Sequence, residues 1–408
     1  MNYSLASATG AELRAGGGAL RVDGSRVTAV TPTGAAGAGD GVAAALVSAV
    51  LSDDATGLGA SAGTVRVVAE SGAVRPGPGA ERAIAVDMTN WSVVVDGAHV
   101  VKVVAEWNGA DRAARLLSRL AARGSGTIPR FLGRVEWTLP SLGASTVALV
   151  SEAVVGADDG WTWAVDDVLA MVDGGPEPRW PAELGTLTAR LHRDLAGGDD
   201  AVAPDGAGRG LRDRAEGALD AALAAVTGAA GIRLANREHA LRSAIASLPD
   251  APGAPLFETH GDLHVGQVLR SPGGRLWLID FDGDPQLPAE ERELPDFAAR
   301  DLAHLLVSVD LVVSIARRRR PGCEDLVLGW ARSARAALLA AYRADAAHPV
   351  DERLLPGFEA EQLLRELLYA RRYLPRWEYA ADAAITSRYA PAPETSEDPW
   401  TPPVFSTT

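Results

Sequence analysis

The period of the apolar pattern changes once along this 408-residue chain, and no other feature constrains the fold as much. Up to about residue 155, apolar residues come in short alternating runs between turn residues, as in "ALRVDGSRVTAV" and "GTVRVVAE". From about residue 157 they recur three and four apart, as in "AELGTLTARLHRDLAGG" and "EDLVLGWARSARAALLAAYRADAA". A period of two marks half-buried strands, and a period near 3.6 marks amphipathic helices. Strands followed by helices predict an α+β fold with two lobes, a small β-rich one and a large helical one.

The chain is too long for one ordinary core. Residues 1–80, rich in small residues, read as an N-terminal cap subdomain with one helix in "GDGVAAALVSAVLSDD". The Pro/Gly-rich "SGAVRPGPGAE" closes it. Residues 85–155 read as the small lobe. There "NWSVVVDGAHVVKVVAEWNG" predicts a hairpin turning at Asp96-Gly97. A helix in "ADRAARLLSRLAARG" ends at Gly124, and two strands follow. Residues 156–400 form the helical lobe, interrupted by the short apolar strand "LWLID".

Composition narrows the function. With 39 basic and 53 acidic residues, the net charge of −14 disfavours nucleic acid and anionic membranes as partners. One cysteine, Cys323, excludes an intrachain disulfide and a cysteine metal cluster. The longest apolar run is broken by His304 and Asp310, so no membrane span is expected. The first residues lack a basic stretch followed by an apolar one, which points to a cytoplasmic protein. Lys102 is the single lysine among many arginines. A lysine kept against that bias fits a compact point charge in a tight site.

Lys102 sits on the second strand of the predicted hairpin. Much later, "HGDLHVGQVL" places Asp262 five residues before Gln267, and Asp280 ends "LWLID" and opens "DFDGD". Phosphoryl transfer from ATP needs these parts in this order: a strand lysine for the phosphates, a carboxylate in a loop as base, an amide five residues on and a strand-end Asp for metal. Carboxylate and amide oxygens suit Mg2+. Each part alone has other readings: "HGD" as a turn, "DFDGD" as an acidic loop. His260 and His264, four apart, have the spacing of zinc ligands on a helix, but Gly261 and Gly266 argue against a helix. His260 reads as a support for the loop and His264 as a bystander.

The stretch "HGDLHVGQVLRSPGGRLWLIDFDGDP" resembles the catalytic core of bacterial kinases of the aminoglycoside-phosphotransferase and choline-kinase group, and within it the actinobacterial maltokinase-like sugar kinases. "VALVSEAVVGADDGWTWA" resembles their hinge, and "LGTLTARLHRDLA" and "ARDLAHLL" two of their helices. The resemblance spans about residues 85–380 and implies a bilobal fold like that of eukaryotic protein kinases. It implies Asp262 as catalytic base, Gln267 and Asp280 as metal ligands, and Lys102 on the ATP phosphates. The hinge residues Glu152, Ala153 and Val154 would receive adenine, and Asn90 would lie in a turn over the phosphates. One departure stands out. The helix after the lysine strand usually carries a Glu that pairs with the lysine, and here Asp111 is its one acid.

The acceptor should bind among the C-terminal helices. In "ELLYARRYLPRW", Glu366, Tyr369 and Tyr373 share a helical face, with Arg372 beside them and Trp377 past the helix end. Aromatic planes among charges are one way to hold a sugar; packing against the core is the other reading. "YARRYLPRWEYAADAAI" resembles the subgroup with glucosamine kinase activity, and a cationic sugar would favour acids, with Asp301 and Glu366 as candidates and His304 one turn past Asp301. The resemblance therefore implies ATP- and Mg2+-dependent phosphorylation of a sugar, glucosamine at its 6-hydroxyl. A maltokinase making maltose 1-phosphate, an aminoglycoside phosphotransferase and a pseudokinase-like binding protein are the alternatives.

Overall fold

The structure is a computed structural model and describes residues 10–70, 79–84, 91–107, 109, 112–197 and 200–391. Asn90 and Asp111 lie outside the described residues. The first strands, β1 (Ala11–Ala15), β2 (Gly18–Asp23), β3 (Arg26–Thr31) and β4 (Gly34–Ala35), form an antiparallel meander. After α1 (Val42–Ser52), β5 (Gly59–Ala60) joins the far side of β1. A second, six-stranded sheet uses β6 (Thr64–Ala69), β7 (Glu81–Ala83), β8 (Trp91–Val95) and β9 (His99–Val103). It is completed, after α2 (Arg112–Ala122), by β10 (Phe131–Leu139) and β11 (Gly143–Glu152). Its order is β6-β10-β11-β9-β8-β7.

Strand β6 comes from the segment read as the cap, yet it pairs along β10. One apolar core, with Leu13, Leu46, Val101, Val135 and Trp137, runs through both sheets and α1. The two sheets and α1 therefore share one core among the described residues.

The hairpin of β8 and β9 turns where expected. Asp96 and Gly97 both adopt left-handed φ, 55° and 67°, and Ala98 N donates to Val95 O at 3.0 Å. Two positive φ angles give a turn whose twist matches the strands it joins. Register then decides which way the lysine points. His99, Val101 and Val103 are buried, so Lys102 projects from the other face of β9.

The second lobe begins with α3 (Gly160–Val172), α4 (Trp180–Leu195) and β12 (Ala201–Val202). The helices α5 (Ala207–Ala225), α6 (Gly228–Ala235) and α7 (Glu238–Ala246) follow, then β13 (Pro255–Leu256). The catalytic-loop stretch leads into a small hairpin of β14 (Val268–Arg270) and β15 (Leu276–Leu278). Then come α8 (Ala289–Arg292), α9 (Ala298–Arg319), α10 (Glu324–Asp345), α11 (Leu355–Tyr373) and α12 (Glu378–Arg388). Their core takes in Leu116 and Leu120 of α2, so that helix packs with the helical lobe. Helix α9 is buried without a break from Ala299 to Val309. A helix buried all round has no solvated face, so its polar residues need internal partners. No described helix is long and apolar enough to cross a membrane.

Helices α4 and α10 meet backbone to backbone at Gly185. A Cβ there would stand 2.2 Å from Leu338 O and 3.0 Å from Tyr342 N. Gly185→Ala should therefore destabilise the fold by about 1–3 kcal/mol. A urea melt should show a lower midpoint with an unchanged slope.

Candidate active site

The catalytic loop is built around one buried carboxylate. Asp301, on α9, is fully buried and accepts from His260 N at 2.8 Å and Gly261 N at 2.9 Å. Gly261 has φ +84°, which lets two successive N–H groups face one anion. His192 Nε2 of α4 lies 3.0 Å from the same carboxylate, and its Nδ1 lies 2.9 Å from the Tyr342 hydroxyl of α10. Burial opposes the charge on Asp301, but His192 and the loop N–H groups overcome this and hold it well below the usual range. Asp301 thus anchors the loop and has no face left for a sugar. This corrects its assignment to the acceptor pocket; adjacency of Arg300 and Asp301 in sequence gave only a hint of the structural role.

His260 is a support, as expected. Ile279 O accepts from its Nε2 at 2.9 Å, and its ring packs on Phe281 at 4.6 Å between centroids. Downstream, Val265 N donates to Ser308 Oγ at 3.0 Å, and Ile279 N to Gln267 O at 3.0 Å. These bonds tie the loop to α9 and to the end of β15.

Asp280 follows β15 with φ 66°, a conformation that Asp tolerates better than most side chains. It faces Lys102, whose Nζ lies 2.5 Å from Asp280 Oδ1 and 2.7 Å from Asp282 Oδ2. Burial would lower the lysine's pKa; the two carboxylates raise it instead, so the ammonium is fully charged. Asp282 went unnoticed in the sequence because "DFDGD" reads equally as a turn. Gln267 Nε2 lies 3.4 Å from Asp280 Oδ2. An amide and a carboxylate converging in this way give two hard-oxygen donors. They fit Mg2+, which draws its other ligands from phosphate and water. No group of three or more His, Cys, Asp or Glu with metal-site geometry occurs among the described residues.

Helix α2 supplies bases where the resemblance led one to look for an acid. Arg112 Nη2 donates to Thr259 O at 2.6 Å. Arg115 and Arg119 pair with Glu258 at 2.5 and 2.7 Å. Spaced i, i+3 and i+7, the three form one stripe that clamps the strand leading into the loop. That spacing was visible in the sequence, but its partners lie some 140 residues away.

Asp262 sits at the centre of these elements. His264 Nε2 lies 3.8 Å from its Oδ2 and His304 Nδ1 3.8 Å from its Oδ1. Burial, then Asp284, Asp280 and Asp301, push its pKa well above the ordinary value. His304 is buried, and burial lowers its pKa to about 3, so its imidazole is neutral. Glu366 of α11 is raised to about 7, first by burial, with Asp262 and Asp284 adding to the rise and His264 opposing it. Burial, then Glu366 and Asp262, push the Tyr369 hydroxyl up. Arg365 holds Asp284 at 2.8 Å.

Tyr373 is exposed, but its ring packs on that of Tyr369 at 5.0 Å between centroids, and the Arg372 guanidinium stacks over it at 5.0 Å. Trp377 is partly buried and stacks on Tyr379 at 6.2 Å. At the hinge, Ala153 N donates to Ala98 O at 2.8 Å and Glu152 N to Arg130 O at 2.8 Å, so both N–H groups are committed to the fold. Glu152's side chain pairs with Arg130 at 3.3 Å. Among the described residues Val154 N has no backbone acceptor.

The chain is 41% identical over 325 residues to a glucosamine kinase of Streptacidiphilus jiangxiensis, covering 75% of this chain and 73% of the relative. The chain belongs to the glucosamine kinase family. A glucosamine kinase of Mycolicibacterium smegmatis is 34% identical over 367 residues, covering 86% of this chain and 88% of that one. A solved glucosamine kinase in complex with glucosamine, ADP and inorganic phosphate superposes with a TM-score of 0.77 at 32% identity, covering 91% of this chain and 92% of the other. No family model matches. The bilobal kinase-like α+β fold and the subgroup resemblance read from the C-terminal segment are borne out by these likenesses.

Within this family member, the Asp301 anchor has a pH signature. Its native pKa is depressed, so its stabilising contribution is full above the unfolded aspartate range and is lost as pH falls toward the native pKa. Asp301→Asn should cost about 2–4 kcal/mol at pH 7, since it weakens bonds to two buried N–H groups. The gap between wild type and variant in urea melts should narrow as pH drops below the aspartate range. A constant gap would show that the charge does not matter.

Proposed function

We propose that this chain transfers the γ-phosphoryl group of ATP to the 6-hydroxyl of glucosamine, using Mg2+. The observation that carries the reading is the Lys102–Asp280 ion pair with Gln267 3.4 Å from the same carboxylate. Residues 85–155 serve ATP, with Lys102 on the phosphates and Glu152, Ala153 and Val154 along the adenine; residues 156–400 serve the sugar. Gln267 and Asp280 would hold Mg2+, which neutralises phosphate charge. Asp262 accepts the proton of the attacking hydroxyl, and its raised pKa makes it the stronger base. ATP and a small sugar as substrates support a cytoplasmic place of action.

Glu366 gives the site a preference. A carboxylate shielded from water attracts the sugar's ammonium and offers a neutral sugar only a hydrogen bond. Tyr369, one turn further on α11, and Arg372, Tyr373 and Trp377 beyond it would add contacts to the sugar. His304 stands beside Asp262, its Nδ1 3.8 Å from Oδ1.

The test is an ADP-release screen over glucosamine, glucose, maltose, N-acetylglucosamine and an aminoglycoside, with NMR of the product. Glucosamine should have the highest kcat/KM and yield the 6-phosphate. A preference for maltose would overturn the reading. Glu366→Gln should raise the KM for glucosamine about 10-fold or more, the loss of a charge-assisted bond, and leave the KM for ATP unchanged. In the wild type, ionisation of Glu366 near pH 7 should lower the KM for glucosamine as pH rises through that value. The variant should lack this dependence.

A further inference from the structure

His264 is given no role in the chemistry above, though its Nε2 lies 3.8 Å from Asp262 Oδ2 and nearer, at 3.4 Å, to the Gln267 amide, and its ring is held from several sides. The Trp161 indole stacks on it, 5.8 Å between centroids and 23° between planes. Gly266 N donates to its Nδ1 at 3.0 Å. Gly266 also has no room for a side chain, since a Cβ would stand 2.7 Å from the His264 ring and 2.5 Å from Trp161 Nε1. A backbone N–H can only donate. Nδ1 therefore carries the lone pair, and the ring proton sits on Nε2.

That Nε2–H faces the Gln267 side chain. The amide nitrogen of Gln267 lies 3.4 Å from His264 Nε2 and 3.4 Å from Asp280 Oδ2. Two donors confront each other on the His264 side. A half-turn of the amide replaces that confrontation with an N–H···O bond. The same half-turn sets Gln267 Oε1 beside Asp280 Oδ2. Two oxygens facing each other repel unless a cation lies between them, and that is the arrangement a metal site needs. Without a cation the amide is drawn both ways: Asp280 favours its nitrogen, His264 its oxygen.

We propose that His264 is a positioning residue for the metal, whose Nε2–H selects the Gln267 orientation that presents oxygen to the cation shared with Asp280. The proposal rests on the reading of Gln267 and Asp280 as metal ligands. It gives a reason for a histidine three residues before the amide, with a glycine between them. A carboxamide has one oxygen end and must be oriented; a carboxylate has two and need not be. Partners that orient a ligand in this way are worth about 10–100-fold in metal affinity.

The test measures Mn2+ binding to the full chain in the presence of ADP, by electron paramagnetic resonance and calorimetry. His264→Phe keeps a ring against Trp161 and removes the N–H. It should raise the Kd for Mn2+ about 10–100-fold and leave metal-free ADP binding unchanged. Where phenylalanine does not fold, His264→Leu gives the same readout. In a Gln267→Glu background, the His264 substitution should have no effect on Mn2+ affinity, a coupling that simple damage to the loop would not produce. The inference is overturned if His264→Phe binds Mn2+ like wild type, or if the loss persists in the Gln267→Glu background. Asp280→Ala separates the two readings. If it abolishes Mn2+ binding while His264→Phe does not, the positioning role fails and the ligand assignment stands. If it leaves Mn2+ binding intact, the ligand assignment itself fails.

Discussion

One buried carboxylate holds the active site together. Burying an ion costs several kcal/mol unless its lone pairs are filled, and those of Asp301 are filled by two loop N–H groups and His192. The loop cannot move without taking away two of the three partners of that charge. His192 belongs to α4, its partner Tyr342 to α10 and Asp301 to α9, so the position of Asp262 is referred to these three helices. Gly185 serves the same end from a distance, because α4 and α10 must touch for His192 and Tyr342 to meet.

The small lobe is joined to this frame by charge of the opposite sign. Helix α2 sends Arg112 to the Thr259 carbonyl and Arg115 and Arg119 to Glu258, just before the loop. Protein kinases of the usual pattern hold the strand lysine with a Glu from this helix. Here Lys102 reaches Asp280 and Asp282 directly, and the helix is released for another task. It becomes a strut between the lobes, which explains why Leu116 and Leu120 pack in the core of the helical lobe.

Sequence alone disclosed those parts whose signal is local. The Asp96-Gly97 turn, the alternation that turns Lys102 out of the core, and the five-residue step from Asp262 to Gln267 all depend on near neighbours. The arginines of α2 and the His192–Tyr342 pair were silent because their partners lie about 110 to 150 residues away. Asp301 was misassigned because helical spacing says which residues share a face and not what that face meets. On α11 the same limit applied at the helix end. Tyr369 carries a pKa raised by burial and by Glu366, while Tyr373, four residues on, packs on it but is exposed at the helix end.

Two glutamates on α11 show how the surroundings divide labour between identical side chains. Glu361 is ringed by Arg300, Arg214 and Arg365, and these overcome burial and hold its pKa down to about 2. It is spent on structure, and its charge is already neutralised. Glu366, five residues later, has no arginine among the charges that weigh most on it; burial and Asp262 push it up to about 7. Environments that drive two carboxyls apart in this way mark different tasks. Ionising Glu366 in the empty recess is unfavourable because Asp262 and Asp284 are already there. An ammonium relieves that repulsion, and a neutral hydroxyl does not. In the proposed function, preference for an amino sugar follows less from a shaped cavity than from a carboxyl that Gln362 hydrogen-bonds but no arginine or lysine pairs with among the described residues.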